Sequence, residues 1–297
     1  MRRLFKVLGY SAAGLVVLLV LAVAGIYWRS SALLHRSFTI AVAPVRVPSD
    51  PAAVERGRHI ALTRGCVDCH GADFGGAKVI DDPAMGRAYG PNLTRGRGGR
   101  AAEMTDTDWV RAIRHGVARD AHPLFLMPSA EYSHFTDDDL GAVVAYAKSV
   151  PPVDRDSVPL SVGPVARALM VAGKVQLAAD LIDHAGFKPE VVSPGVTVAY
   201  GRYLAIGCTG CHGSNFSGGK IDVGPPDWPA AANLTPAGEL ARWTEKEFFA
   251  ALRTARRPDG RELSVVMPRA FGQMTDDELM AIWLFLRSVP PAGTGTR

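Results

Sequence analysis

Residues 66–70 read CVDCH and residues 208–212 read CTGCH, and these two stretches hold all four cysteines of the 297-residue chain. On a helix Cys66 and Cys69 lie three positions apart and His70 one further on, so two thiols and an imidazole share one side of a turn. Cys208, Cys211 and His212 repeat the pattern. Thiols so placed can add across the two vinyl groups of a haem, while the histidine that follows ligates the iron. Two other chemistries use paired cysteines: a structural zinc ion takes four Cys or His donors, which the two stretches could supply together, and a redox dithiol has no use for the histidine. The histidine follows the second cysteine both times, and Gly and a Phe-containing, Gly-rich stretch come next. Two covalently attached haem c groups are therefore expected, with zinc as the alternative.

The second ligand of each iron is sought among residues that repeat. Met127 and Met267 lie 57 and 55 residues after His70 and His212, and each precedes a proline that holds the passing chain extended. A thioether on iron favours the ferrous state and raises the potential. His115 and His122 are rivals to Met127 for the first iron. Met274 has Phe135 as its counterpart and is expected in the core, and Met85, Met104, Met170 and Met280, which have no matching methionine, read as gap fillers. His59 matches Tyr203, His115 matches Thr254, His134 falls on a loop, and His35 and His184 lie outside the repeated stretches. Surface or capping roles are expected for these histidines.

The elements that must carry these groups come in two copies. ERGRHIALTRGCVDCHGADFGGAK at 55–78 matches AYGRYLAIGCTGCHGSNFSGGK at 199–220, PNLT at 91–94 matches ANLT at 232–235, and LMPS at 126–129 matches VMPR at 266–269. TDDDLGAVVAYAKSVPPV at 136–153 aligns without a gap to TDDELMAIWLFLRSVPPA at 275–292. Each copy of this last stretch reads as a helix with a Thr N-cap, acids in its first turn, a Lys or Arg near its end and a Pro-Pro stop. Opening helices are expected from about Ala52 and Val198, and middle helices at Thr105–Arg114 and Thr244–Arg253. No sustained strand alternation is visible. The expected organisation is an N-terminal segment at 1–36, a linker at 37–51, one domain at 52–153, a connector at 154–197, a second domain at 198–292 and a tail at 293–297. Pro44, Pro48 and Pro51 make the linker read as a spacer. Val162–Leu181 reads as one amphipathic helix able to pack across both domains.

From Val7 to Trp28 the chain has 22 residues without a charge, preceded by Arg2, Arg3 and Lys6. That is long enough to cross a bilayer, with the basic end inside and Tyr27-Trp28 at the outer interface. A retained anchor in the bacterial inner membrane is expected, with the rest of the chain in the periplasm, where thioether attachment of haem normally takes place. A cleaved signal peptide ending near Ala22-Val23-Ala24 is the alternative. Five basic residues and no acid lie in residues 1–36, so the formal +4 of the whole chain leaves the exported part close to neutral. That balance speaks against nucleic acid as a partner.

Together these residues resemble class I cytochrome c: the C-x-x-C-H motif, GPNL at 90–93, Met-Pro, and a closing helix with an aromatic. The tandem arrangement with NLT, MP, TDDEL and RSVPP is similar to the multihaem cytochrome c subunits of bacterial alcohol, gluconate and aldehyde dehydrogenases, which often have three haem domains where this chain has two. The resemblance implies an all-α fold of two tandem class I cytochrome c-like domains after an N-terminal transmembrane helix. It also implies that the backbone carbonyls of Pro91 and Ala232 accept a hydrogen bond from the proximal histidines His70 and His212. Tyr146 and Phe285 would each pack over a close helix crossing at Gly57 or Gly201. Arg114 and Arg253, with Lys78 and Lys220, read either as solvated helix ends and loops or as partners of the haem carboxylates.

Electron transfer is the function expected. By resemblance the donor is a periplasmic dehydrogenase and the acceptor an oxidase, a soluble cytochrome or quinone. A dihaem cytochrome c peroxidase-like enzyme is the alternative, and it would need an open position on one iron. No nucleophile triad or phosphate loop suggests other catalysis.

Overall fold

The computed structural model describes residues 2–186, 188–221 and 227–296. Met1 and Arg297, at the ends of the expected anchor and tail, lie outside the described residues, as do 187 in the connector and 222–226 in the second domain. Helix α1 (Arg2–Leu34) is long and apolar enough to cross a membrane, and its apolar body is exposed. Its last turns dock on the connector. Arg167 Nη1 donates to Ser30 Oγ (2.9 Å) and Ser31 Oγ (3.1 Å) and lies 4.8 Å from the Tyr27 ring centre.

The first repeat contains α2 (Pro51–Thr63), α3 (Cys66–His70), strands β1 (Ala77–Asp82) and β2 (Gly86–Gly90), α4 (Asp106–His115), α5 (Ser129–Tyr132) and α6 (Asp137–Ser149). The connector supplies β3 (Ser161–Val162), α7 (Pro164–Val171) and α8 (Ala178–Leu181). In the second repeat α9 (Val198–Ala205), α10 (Thr209–His212), α11 (Glu245–Thr254) and α12 (Asp276–Ser288) stand in the places of α2, α3, α4 and α6. The helix starts follow from side-chain chemistry. Thr105, Thr244 and Thr275 close capping boxes with Asp108, Glu247 and Glu278, and Asp50 caps α2 ahead of Pro51. Proline pairs at 151–152 and 290–291 follow the closing helices and prevent their continuation.

Within each repeat the opening helix crosses the closing helix at a glycine. A Cβ on Gly57 would overlap the Ala142 carbonyl, and one on Gly201 the Ala281 carbonyl. Tyr146 and Phe285 lie beside these crossings and meet Phe74 and Phe216 edge-on at 5.3 Å. The apolar cores of the two repeats are continuous, running from Ile60, Trp109 and Val144 in one to Leu204, Phe248 and Leu286 in the other.

Three expectations are corrected here. Strands β1, β2 and β3 form an antiparallel sheet, with Ala77 opposite Gly90 and Gly86 opposite Val162. A register shift between Lys78 and Ile80 breaks the alternation that would have announced β1. The connector is not one helix over Val162–Leu181: α7 ends before Gly173, which has φ +70°, and only the short α8 follows. The linker is not a free spacer, because Val42, Val45 and Val47 pack on the core and the Arg46 carbonyl lies against Gly141 of α6.

Candidate haem-binding site

Each C-x-x-C-H turn follows the opening helix, and its histidine is buried. His70 Nδ1 lies 3.1 Å from the Pro91 carbonyl oxygen, and His212 Nδ1 lies 2.7 Å from that of Ala232. A carbonyl can only accept, so the proton sits on Nδ1 and Nε2 is left with its lone pair. Burial lowers the pKa of both imidazoles against the smaller opposing effect of these bonds, and a neutral ring is the form that ligates a metal.

The repeated NLT sequence, to which no role could be given from the sequence, holds these carbonyls in place. Asn92 Nδ2 donates to the Val153 carbonyl (2.7 Å) beyond α6, and its Oδ1 accepts from Thr94 N (2.9 Å) and Thr94 Oγ1 (2.8 Å). Asn233 does the same with Ala292 (2.7 Å), Thr235 N (2.9 Å) and Thr235 Oγ1 (2.7 Å). All four side chains are buried. The recurrence of a polar triplet in both copies was the signal, but its partners lie about 60 residues away in each repeat.

Burial pushes the Cys66 and Cys208 thiols up to about 12 and raises that of Cys69. A redox dithiol works through a lowered thiol pKa, and burial here acts in the opposite direction. Among the described residues no three His, Cys, Asp or Glu side chains gather in a way that would hold a metal ion.

The residues present fit a haem. In the second repeat an apolar cavity contains Cys208, His212 and Met267 together, walled by Leu234, Trp243 and Phe248. In the first repeat Trp109 is 3% exposed and its Nε1–H has no acceptor among the described residues. A bound group carrying carboxylates would satisfy it, and an unmet buried donor is costly otherwise.

The other candidates fall as follows. Met127 is half-buried against the core. His115 faces the connector, its Nδ1 3.1 Å from His184 Nδ1, and His122 Nδ1 lies 3.3 Å from the Arg36 carbonyl. Met274, like its counterpart Phe135, is buried. Arg114 is buried and donates to Asp137 (2.7 Å) and the Phe135 carbonyl (2.7 Å), and Arg253 meets Asp276 and the Met274 carbonyl in the same way. These arginines tie the middle helix to the start of the closing helix. Lys78 and Lys220 are exposed. His59 is half-buried between the repeats rather than solvated, 2.8 Å from Glu278 Oε2.

A second cavity opens between the repeats, bounded by Gly65, Cys69 and Pro128 on one side and by Ile206, Gly207 and Pro268 on the other. The first C-x-x-C-H turn, the two residues that lead into the second, and both Met-Pro loops thus border the same cleft.

Two family models match the chain: cytochrome c oxidase, cbb3-type, subunit III over residues 52–146, and cytochrome c over residues 198–290. The chain carries two cytochrome c domains in tandem, the class of domain that holds haem c covalently. It is 27% identical to the cytochrome c subunit of the alcohol dehydrogenase (quinone) of Gluconacetobacter polyoxogenes, over 82% of this chain and 57% of the relative. To the gluconate 2-dehydrogenase cytochrome c subunit of Pantoea cypripedii it is 28% identical, over 81% and 60%. To a diheme cytochrome c-type protein of Cereibacter sphaeroides it is 25% identical, over 79% and 85%. The chain therefore spans little more than half the length of the dehydrogenase subunits it matches.

Proposed function

We propose that this protein is a dihaem electron carrier. Cys66 and Cys69 hold one haem c and Cys208 and Cys211 a second; His70 with Met127, and His212 with Met267, ligate the irons. The observation that carries this reading is the matched pair of buried imidazoles, each with Nδ1 on a pinned carbonyl and Nε2 left for a metal. Bound haem c supplies a one-electron iron couple. The chain's own groups orient the imidazoles, wall the macrocycle with apolar side chains and exclude water. Placing Met267 in the same cavity as His212 supports ligation of the second iron by a thioether. The contacts of His115 with His184 and of His122 with Arg36 support Met127 over either histidine at the first.

A carrier with two closed irons needs a protein to load it and another to drain it. By similarity to the dehydrogenase cytochrome subunits, the donor is a periplasmic dehydrogenase, and the acceptor is a terminal oxidase, a soluble cytochrome or quinone. Helix α1 anchors the chain in the bacterial inner membrane with both domains in the periplasm.

Gentle purification from the native membrane, followed by identification of what accompanies the protein and addition of sugars, alcohols and aldehydes while haem reduction is watched, tests this. Rapid reduction through a co-purifying dehydrogenase is expected. Turnover of peroxide by the isolated chain would replace the carrier reading with the dihaem peroxidase. A mature N-terminus beginning after Ala24 would replace the anchor with a cleaved signal peptide.

A further inference from the structure

Electron transfer alone leaves one carboxyl group without a role. Glu131, on α5, lines the cleft between the repeats together with Arg64 and Cys69 of the first and Gly207 of the second. Its Oε1 stands 2.7 Å from where a Cβ on Gly210 would be, so it presses on the CTGCH turn of the opposite repeat. Among the described residues its carboxylate accepts no hydrogen bond. Arg64 bears on it electrostatically but donates through Nη1 to the Leu204 carbonyl (2.6 Å), and the neighbouring Tyr132 hydroxyl donates to the Arg64 carbonyl (2.8 Å). The second repeat is one residue shorter between its Met-Pro and its closing helix, and there Ala270 and Phe271 line the same cleft. A cavity walled by repeated elements therefore has its carboxyl groups, Glu131 and Asp68, on the side of the first repeat only.

We infer that Glu131 takes up a proton when an electron enters the haem pair, so that electron transfer through the cleft between the repeats is coupled to proton transfer. An added electron raises the cost of a nearby buried negative charge, and a carboxylate without a hydrogen-bond donor relieves that cost by protonation. Burial, opposed by Arg64, already brings this carboxyl to about 7, where a small further push changes its state. The step balances. One ferric iron becomes ferrous with the electron of the donor, one carboxylate becomes a carboxylic acid with a proton from water at the cleft mouth, and reoxidation returns both.

The groups facing Glu131 are Arg64 from the turn between α2 and α3, Asp68 and Cys69 of α3, Tyr132 and His134 around α5, and Tyr203 of α9. Cys208, at the start of the second C-x-x-C-H turn, also interacts with it. Cys69 and Cys208 become thioethers when haem is attached, and burial raises Tyr132 and Tyr203 above their ordinary range. His134, exposed and 3.7 Å from Glu190, is the control.

The inference rests on the dihaem reading, which intact mass tests separately by counting attached haems. In the doubly loaded protein a midpoint potential should fall as pH rises between roughly pH 6 and 8, by up to about 59 mV per unit, the one-electron equivalent of tenfold. Glu131→Gln should flatten this slope with the haem count unchanged, and His134→Gln should keep it. A flat wild-type profile, or a slope that survives Glu131→Gln, overturns the inference. Should Glu131→Gln fail to assemble, the redox-difference infrared spectrum of the wild type decides. A protonated carboxyl band gained on reduction supports the inference, and its absence rejects it.

Discussion

His59 of the first repeat bonds Glu278 of the second at 2.8 Å, and the residues at the two matching places, Tyr203 and Asp139, bond each other in the reciprocal direction. Position 59 corresponds to 203 and 139 to 278, so the repeats meet as two subunits meet across a two-fold axis, each offering the same patch to the other. Asp139 is also held by Arg56 Nε at 2.7 Å, and Glu278 by its capping box with Thr275. The contact joins the start of each closing helix to the opening helix of the other repeat.

This contact makes stability depend on pH. The bond to Glu278, opposed by partial burial, raises the His59 pKa, so its contribution is complete below the ordinary histidine value and is lost as pH rises through the raised one. Burial raises Glu278, but the bonds from His59 and Thr275 bring it net below the usual carboxylate value, and its contribution is lost only as pH falls through that lowered value. The pair should thus be worth most at mildly acidic pH, about 1–2 kcal/mol for a hydrogen bond between charged groups at a half-buried site. Denaturation of the wild type and of His59→Gln across pH should show the difference shrinking above neutrality. A constant difference would argue against a charged pair.

The glycine crossings should tolerate no side chain. Gly201→Ala gains up to about 1 kcal/mol of helix propensity but forces a methyl group into the Ala281 carbonyl. A net loss of about 2–3 kcal/mol is expected, as for overpacked cores, with Gly57→Ala similar. Chemical denaturation of the loaded protein measures it, and a neutral outcome would mean that the helix pair can slide apart.

Haem stoichiometry should follow the cysteine pairs. Protein made with haem-attachment machinery should show two haem additions by intact mass, and Cys208→Ala with Cys211→Ala should leave one. Zinc with unmodified cysteines in the wild type would end the haem reading.

Ligation by Met267 should be visible in the oxidised protein. Met267→Ala should remove about half of the weak far-red sulfur-to-iron band and lower one potential, since loss of the thioether favours ferric iron. If the wild type lacks the band, His/Met ligation is wrong at both irons. A bis-imidazole signal replacing the Met127 contribution would return His115 or His122 as the ligand.

Much of this protein was legible because its chemistry is local and repeated. C-x-x-C-H places its three groups within five residues, so helix geometry alone brings them together at Cys66–His70 and again in the second copy. Caps such as Thr275 with Glu278 also close within one turn. Duplication compensated for sequence separation, since Met127 and Met267 are distant from their histidines but hold matching places. What the chain could not disclose were contacts between unlike residues far apart. His59 and Tyr203 looked like an unmatched pair because each is chosen for its partner across the interface, not for its place in its own repeat. Asn92 and Asn233 find their acceptors only after the closing helix has folded back. Glu131 carries no sequence signal, because its environment is a cleft that forms only when two separately patterned domains pack with a shared core, and the withdrawal of water there makes an ordinary acid responsive to charge.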